Sequence, residues 1–256
     1  MKVLAEGKTK VVYQDKSFRV KIVSKDQITA GDGEKKDVIG KKGVLANKTT
    51  CNVFRLLERE GIRTHFVRRQ NSDSFLARHC QMIPIEVVIR RSAKGSYLKR
   101  NPKVEEGTVF SRPIVEFFYK DDASHDPIIL IENGVWNLYD AKKPLNAKVP
   151  LKKIAPLLQQ EEVKLIRGQA SEVFVVLERA WRKLNVDLID LKIEFGRRID
   201  NGRIVVADVI DNDSWRIAGE GGRQMDKQLY RDGKSLSEVA RNYRIVAELT
   251  EQFVNF

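Results

Sequence analysis

Residues 186–216 read VDLIDLKIEFGRRIDNGRIVVADVIDNDSWR. Asp190, Lys192 and Glu194 alternate with Leu191, Ile193 and Phe195. Strand side chains alternate faces, so the charged three project together while the apolar three pack inward. Asn201-Gly202 is a strong hairpin signal, and a second strand is expected to return over residues 204–210. That return is apolar except for Asp208, and it opens into Asp211, Asn212 and Asp213. A carboxylate buried without a partner is costly, so Asp208 needs one. A strict two-residue loop would pair Glu194 with Val209 and send Asp208 to the opposite face. A three-residue loop, Asp200-Asn201-Gly202 with Gly202 left-handed, pairs Glu194 with Asp208, and that is the expected register. Two carboxylates and a lysine on one face suit a divalent metal and a phosphate, because magnesium takes one or two carboxylates plus substrate phosphates. The competing account is a half-exposed hairpin with a solvated polar face.

The chain has 256 residues, 42% hydrophobic and 32% charged. That is enough for one large domain or two lobes with a substantial core. It contains no apolar run of about 18 residues and no signal-peptide pattern, so a cytoplasmic protein with no membrane partner is expected. Cys51 and Cys80 read as reduced packing residues, and His65, His79 and His125 show no zinc spacing. The net charge is +12. The basic residues are spread among apolar positions, with concentrations at 90–100 and 223–231, which favours small phosphorylated molecules over nucleic acid. A nucleic-acid module would also need interleaved aromatics, and the first basic run has only Tyr97.

Working outward from the hairpin, a long helix is expected from about Lys153 to Leu184. Ile166, Ala170, Val173, Phe174, Leu177, Trp181 and Leu184 form its apolar stripe, which is core. The run from Met82 to Ile89 is apolar and β-branched but contains Pro84. Proline cannot donate to a ladder, so this strand should be an edge or begin there. It reads as the crossover between a β-rich lobe, residues 1–81, and a longer lobe, residues 82–256. Within the first lobe, Val11–Tyr13 and Phe18–Val23 read as paired strands with a turn around Asp15-Lys16. Residues 43–60 read as a helix with Gly61 just past its end, and Ile62–Arg68 as another strand. Residues 235–256 read as a final helix.

Several short stretches carry chemistry. Glu6-Gly7-Lys8-Thr9-Lys10 fits a loop over nucleotide phosphates: glycine permits close backbone approach, and lysines at i and i+2 of an extended segment share a face. One glycine is a weak signal, and taken alone the stretch is better explained as a solvated hairpin. Ala30-Gly31-Asp32-Gly33 is a tight turn carrying an acid. Residues 90–100, RRSAKGSYLKR, offer arginine forks, serine hydroxyls and a glycine backbone to a phosphomonoester, or else form a solvated basic face. Asp121, Asp122, His125 and Asp126, closed by Pro127, are either a capped turn or a site for a cationic group. Arg216, Arg223, Asp226, Lys227 and Arg231 suit an anion site or a salt-bridged surface helix.

Together EGKTKVVY, SKDQITAGDG, MIPIEVVIRRSAKGSYLKRNP, FFYKDDASHDP, LIDLKIEFG, VVADVIDNDSWR and DKQLYRD resemble, in order, the motifs of the phosphoribosylaminoimidazole-succinocarboxamide synthase (SAICAR synthetase) family. They span residues 6–232, and as a set they are specific. DNDSWR and KDQITAG are most similar to the N-terminal domain of the bifunctional form that also carries aminoimidazole ribonucleotide carboxylase. No carboxylase domain follows, so a stand-alone enzyme, a domain of a fusion and a homo-oligomer all stay open. The resemblance implies an α+β fold in two lobes, with antiparallel sheets and helices, related to ATP-grasp and kinase-like nucleotide-binding folds, and with ATP in the interlobe cleft. It implies a carbon–nitrogen ligase of de novo purine biosynthesis that joins L-aspartate to carboxyaminoimidazole ribonucleotide through an acyl phosphate. The products are SAICAR, ADP and phosphate, and the cofactors are ATP and Mg²⁺.

The resemblance also implies roles. Gly7, Lys8 and Lys10 match the phosphate-covering loop, and Met82 the adenine-binding hinge. Arg90, Ser96 and Arg216 match residues that hold the ribonucleotide phosphate. Lys192 matches a lysine at the reacting phosphate and, with Asp190 and Asp126, makes up the catalytic set. Glu194 and Asp208 match the magnesium ligands. Asp213, Lys227 and Arg231 match the substrate side of the cleft, and Asp32 and Lys120 match polar positions lining it. Two stretches depart from the pattern: residues 128–150 do not align motif by motif, and Ile217-Ala218 stand where many members have Leu-Trp. A small-molecule kinase is the alternative, since inositol polyphosphate kinases share the broad fold and an Asp-x-Lys element like Asp190-Leu191-Lys192. Such kinases are not expected to carry IPIEVVIRRSAKGS or HDP.

Overall fold

Strand alternation dominates the first 80 residues, and the structure, a computed structural model, describes residues 1–31, 34–144 and 150–255. Strands β1 (Val3–Glu6), β2 (Lys10–Lys16) and β3 (Arg19–Ser24) form an antiparallel meander. The β2–β3 turn falls at Ser17-Phe18, two residues later than expected. A small hairpin, β4 (Gln27–Ala30) and β5 (Lys35–Val38), leads into helix α1 (Lys42–Arg59). Gly61 follows the helix at φ 81°, the left-handed conformation that closes helix C-termini at least cost in glycine. The chain then returns as β6 (Phe66–Arg69) and β7 (Ser74–Arg78), completing a five-stranded sheet of order β1-β2-β3-β7-β6. The last of these begins later than the expected Ile62, because Ile62 is buried and Thr64 makes an isolated parallel bridge to Val206.

The second sheet starts with β8 (Cys80–Ser92), followed by the short α2 (Ser96–Arg100), β9 (Val109–Tyr119), β10 (Ile128–Glu132), β11 (Val135–Tyr139) and β12 (Lys152–Ile154). Helix α3 (Gln160–Arg182) then leads into β13 (Asp187–Arg198), β14 (Ile204–Ala207) and β15 (Trp215–Ala218), and α4 (Gln228–Arg231) and α5 (Leu236–Glu251) end the chain. The order is β12-β11-β10-β9-β8-β13-β14, with β15 also paired to β13. Every ladder in both sheets is antiparallel. The stretch 128–150, which matches no motif, contains the β10–β11 hairpin and β12 follows it; residues 145–149 lie outside the described ones.

Three expectations change. Pro84 is neither at an edge nor at a strand start: β8 is a central strand between β9 and β13. The proline is tolerated because its missing N–H falls at a register shift against β13, between Glu194 and Gly196, and just before pairing with β9 begins at Ile85. Helix α3 starts at Gln160 rather than Lys153, because Lys153 belongs to β12 and Pro156 disfavours helix at the residue before it. The Glu162 carboxylate accepts from the Gln159 N–H at 3.1 Å, fixing the start. Third, the hairpin register is Glu194↔Ala207, from a four-residue connection in which Arg198 N–H donates to the Arg203 carbonyl at 2.9 Å. Both notional registers, to Asp208 and to Val209, are thereby replaced.

One apolar cluster runs through both sheets. It contains Val20, Ile22 and Phe75 from the first, Ile89, Ile193 and Phe195 from the second, Phe54 and Leu57 from α1, and Phe174, Leu177 and Trp181 from α3. A smaller cluster of Ile28, Ile39, Tyr230, Val239 and Tyr243 joins the β4–β5 hairpin to α4 and α5. Helix α1 is tied to the C-terminal helix by Asn52–Thr250 at 3.3 Å and by Lys48–Glu251 at 2.5 Å. Among the described residues no helix is long and apolar enough to cross a membrane.

Candidate active site

The far edge of β13 is shared. β15 pairs with Asp187–Leu191 and β14 with Glu194–Arg197, and between them the chain leaves the sheet over residues 208–214. Lys192 sits at that gap, its N–H donating to the Ser214 carbonyl at 2.6 Å. A cleft of about 650 Å³ opens there between this face and the Gly7–Lys10 and Thr29–Gly31 loops of the first part of the chain. Its volume suits a small-molecule site. Asp190, Lys192 and Glu194 all line it, as strand alternation requires.

Asp208 reaches the cleft by a route the expected register did not contain. It lies one residue beyond β14, at φ 66°. A left-handed residue turns the strand's exit, and the carboxylate joins the Glu194 face although Ala207 holds the pairing position. His65 braces this turn: it is buried, and its Nε2 lies 2.9 Å from the Asp208 carbonyl oxygen. A carbonyl only accepts, so Nε2 carries the hydrogen. Burial pushes the His65 pKa down to about 4, leaving the ring neutral at pH 7.

Around the two carboxylates stand three lysines. Lys10 pairs with Asp208, Lys120 donates to both Glu194 oxygens at 2.9 and 2.8 Å, and Lys192 pairs with Glu86. Burial, and then repulsion from Asp208, raise the Glu194 pKa. Burial acts upward on Asp208 too, but Lys10, Lys120 and His65 together outweigh it and the net shift is downward. Burial works against the charge on Lys120 and Lys192, yet the facing carboxylates win and both shift upward. The donors are oxygen only. Among the described residues no three His, Cys, Asp or Glu converge as a closed metal cage. Two mutually repelling carboxylates fit a magnesium ion that completes its shell with water and phosphate.

The second end is built on Arg90. Its guanidinium, 3% exposed, bonds Glu116 at 2.7 Å and Asp190 at 2.8 Å and reaches Ser96 Oγ at 3.4 Å. Asp190 also takes Arg216 at 2.5 Å, and Glu116 takes Arg100 at 2.5 Å. Three arginines on two carboxylates leave an excess positive charge, suited to a phosphate. The basic run at 90–100 does not act as one cradle. Strand alternation turns Arg91 to the other face, where it bonds Glu178 at 2.6 and 2.8 Å, and Arg100 is buried. Gly95, at φ 62°, lies against Arg216, whose Nη2 would sit 2.6 Å from any Cβ there.

At the third corner Asp213 accepts from Lys227 at 3.0 Å and from the Tyr243 hydroxyl. Of the remaining expected residues, Gly7, Lys8, Asp126, Lys227 and Arg231 line the cleft. Lys8 reaches Asp122 at 3.0 Å, and Asp126, at φ 49°, accepts from the Asp121 N–H at 2.8 Å. Met82 and Ser96 do not line it; Met82 is 42% exposed on β8, and Ser96 touches it only through Arg90. Asp32 lies outside the described residues. Arg223 and His125 do not line the cleft, and Asp226 is buried, accepting from the Ile217 and Gln228 N–H groups. Glu86 was not anticipated, although a lone acid in the apolar run 83–89 carries the same signal as Asp208. Glu116, Lys42 and His65 were not anticipated either; each is remote in sequence from the group it serves.

Residues 3–248 match the SAICAR synthetase family. The phosphoribosylaminoimidazole-succinocarboxamide synthase of Herpetosiphon aurantiacus is 44% identical, with 98% of this chain and 97% of that protein covered. The Multifunctional protein ADE2 of Gallus gallus is 45% identical over 98% of this chain, which spans 58% of that longer protein. A solved SAICAR synthetase in complex with ADP superposes with a TM-score of 0.80 at 33% identity, covering 97% of each chain.

Proposed function

The chain belongs to the SAICAR synthetase family, and on that premise we propose that its cleft joins L-aspartate to carboxyaminoimidazole ribonucleotide at the expense of ATP. The observation that carries the reading is one cleft with two charge centres: lysines around a carboxylate pair at one end, and Arg90 and Arg216 on Asp190 at the other. A nucleoside triphosphate occupies the first and a phosphorylated imidazole the second. A carboxylate oxygen of the ribonucleotide attacks the γ-phosphorus and ADP leaves; the aspartate amine then attacks the acyl phosphate carbon and phosphate leaves. Both steps develop negative charge on oxygen, and prepositioned cations are the main catalytic term for such chemistry.

Gly7, Lys8 and Lys10 cover the triphosphate, with Lys120 and Lys192 on the transferring group. Lys192 is free to move between Glu86 and that group, since Glu86 is its partner in the resting cleft. Glu194 and Asp208 would hold Mg²⁺, which when bound neutralises phosphate oxygens. Arg90 and Arg216 hold the ribonucleotide phosphate, assisted by Ser96 through Arg90. Asp126, whose pKa burial raises, stands beside Lys192 and takes a proton from the incoming amine. Met82 is assigned to the adenine end and Asp32 to the substrate. Residues 1–81 and 82–256 act as the two lobes, and the setting is the cytoplasm. The similarities do not favour a fusion to a carboxylase domain, because relatives such as the Herpetosiphon protein are spanned almost whole.

The test is ADP release with MgATP, omitting the ribonucleotide or L-aspartate in turn. Release that needs both, with a succinocarboxamide product, is the expected result. Release that needs neither would point to a kinase or ATPase instead, and inositol phosphates would be the next acceptors to try.

A further inference from the structure

Lys42 is the first residue of α1, and its side chain is 1% exposed. Nothing local accounts for it. Lysine is almost never fully buried unless paired. A helix N-terminus carries positive partial charge and disfavours a cation, and the first turn of α1 contains no acid. Nor does the side chain cap the helix: the Asp26 carboxylate accepts the N–H groups of Lys41 at 3.1 Å and Gly43 at 2.8 Å. The Lys42 ammonium instead reaches Asp213 Oδ2 at 3.6 Å and lies 5.5 Å over the Tyr243 ring.

Two acids face this ammonium, Asp213 in the cleft wall and Asp211 behind it. Asp213 shares its Oδ2 with Lys227 at 3.0 Å. Asp211, 5% exposed, accepts the Asp213 N–H at 2.8 Å. The cluster is therefore a buried acid, a half-buried acid and two lysines, of which only Asp213 and Lys227 line the cleft. Without Lys42, Lys227 would face two carboxylates alone, and its charge would be spent on them. We propose that Lys42 is a positioning residue: it compensates the Asp211–Asp213 pair from behind, so that Lys227 stays available at the cleft, beside Arg231, for an anionic co-substrate. Electrostatics agree. Burial lowers the Lys227 pKa despite Asp213, with Lys42 also acting downward, whereas Lys42, opposed by burial, is raised by Asp213, Asp211 and Asp26.

The proposal rests on the reading that the cleft takes the ribonucleotide and L-aspartate, so wild-type ADP release requiring both is measured first; its failure sinks that reading and not the role of Lys42. Lys42→Met keeps the volume and removes the charge. Its expected effect is a rise of about tenfold or more in the KM of one anionic co-substrate, with the KM of MgATP within roughly twofold. Asp211→Asn added to Lys42→Met restores the charge balance without touching the cleft, and should recover most of that loss. A structural role for Lys42 predicts no such recovery. A folded Lys42→Met with unchanged KM values, or a double variant no better than the single, overturns the proposal. Should Lys42→Met not fold, the double variant decides alone: near-wild-type KM values support the role. A double variant with the KM still raised, or one that also fails to fold, rejects it.

Discussion

Lys192 is the residue on which the proposed chemistry converges: it stands at the gap between β14 and β15, with its ammonium paired to Glu86 and with Glu194 two positions on. Lys192→Ala should lower kcat by on the order of 10³-fold while the melting temperature stays near wild type, because the side chain sits in the cleft wall. Steady-state kinetics beside a thermal scan checks both halves. Asp211 offers a test in pH. Burial, and then Asp213, push its carboxyl up to about 6, against about 3.9 for an unfolded aspartate. The folded protein then binds the proton more tightly than the unfolded chain between about pH 4 and 6, so stability falls as pH rises through that window. Asp211→Asn lacks the titration and keeps an acceptor for the Asp213 N–H. Urea midpoints across that range should slope less in the variant than in wild type, by on the order of 1 kcal/mol per pH unit; parallel slopes would discard the assignment.

Among elements, the β13–β14 hairpin shows how a site survives a change of register. Strand periodicity alone decides which of Asp190, Lys192 and Glu194 share a face, and that much was legible from alternation. Where Asp208 points was not, because the connection has four residues and the strand ends at Ala207. The carboxylate arrives by a left-handed exit that His65, 143 positions away, braces. Gly196 makes the same point for packing. A Cβ there would lie 2.6 Å from Cys80 Cβ and 3.3 Å from Ala207 Cβ, at the register shift between β8 and β13 that also accommodates Pro84. Gly196→Ala should destabilise by about 1–3 kcal/mol through overpacking, read as a lower urea midpoint with unchanged m-value. A neutral effect would mean the two strands can part there at little cost.

Across the whole molecule, one apolar cluster links both sheets, α1 and α3, while the cleft takes its cations from both ends of the chain: Lys10 from β2, Lys192 from β13 and Lys227 before α4. A ligand held by all of them stabilises the assembled fold by mass action, by about 2.7 kcal/mol at a hundredfold excess over Kd. ADP with Mg²⁺ should therefore raise the melting temperature, and chelation by EDTA should cut that rise, because Glu194 and Asp208 repel each other without a cation between them. An ADP shift indifferent to EDTA would remove the metal role from this pair.

The sequence by itself determined the α+β class, the apolar faces of the β13 strand and of α3, and, through the resemblance of its motifs, most of the charged residues that line the cleft. Those follow from period, composition and ordered motifs, which are local properties of the chain. Tertiary structure alone decided the partners. Pro84 could sit in a central strand only because β13 slips register opposite it. Arg91 left the phosphate end because alternation turned it to Glu178, and Arg100 stays buried behind that end on Glu116. Lys42 came to face Asp213 because α1 starts against the 211–213 loop. Which carboxylate meets which cation depends on contacts between residues far apart in sequence, and no local pattern encodes those.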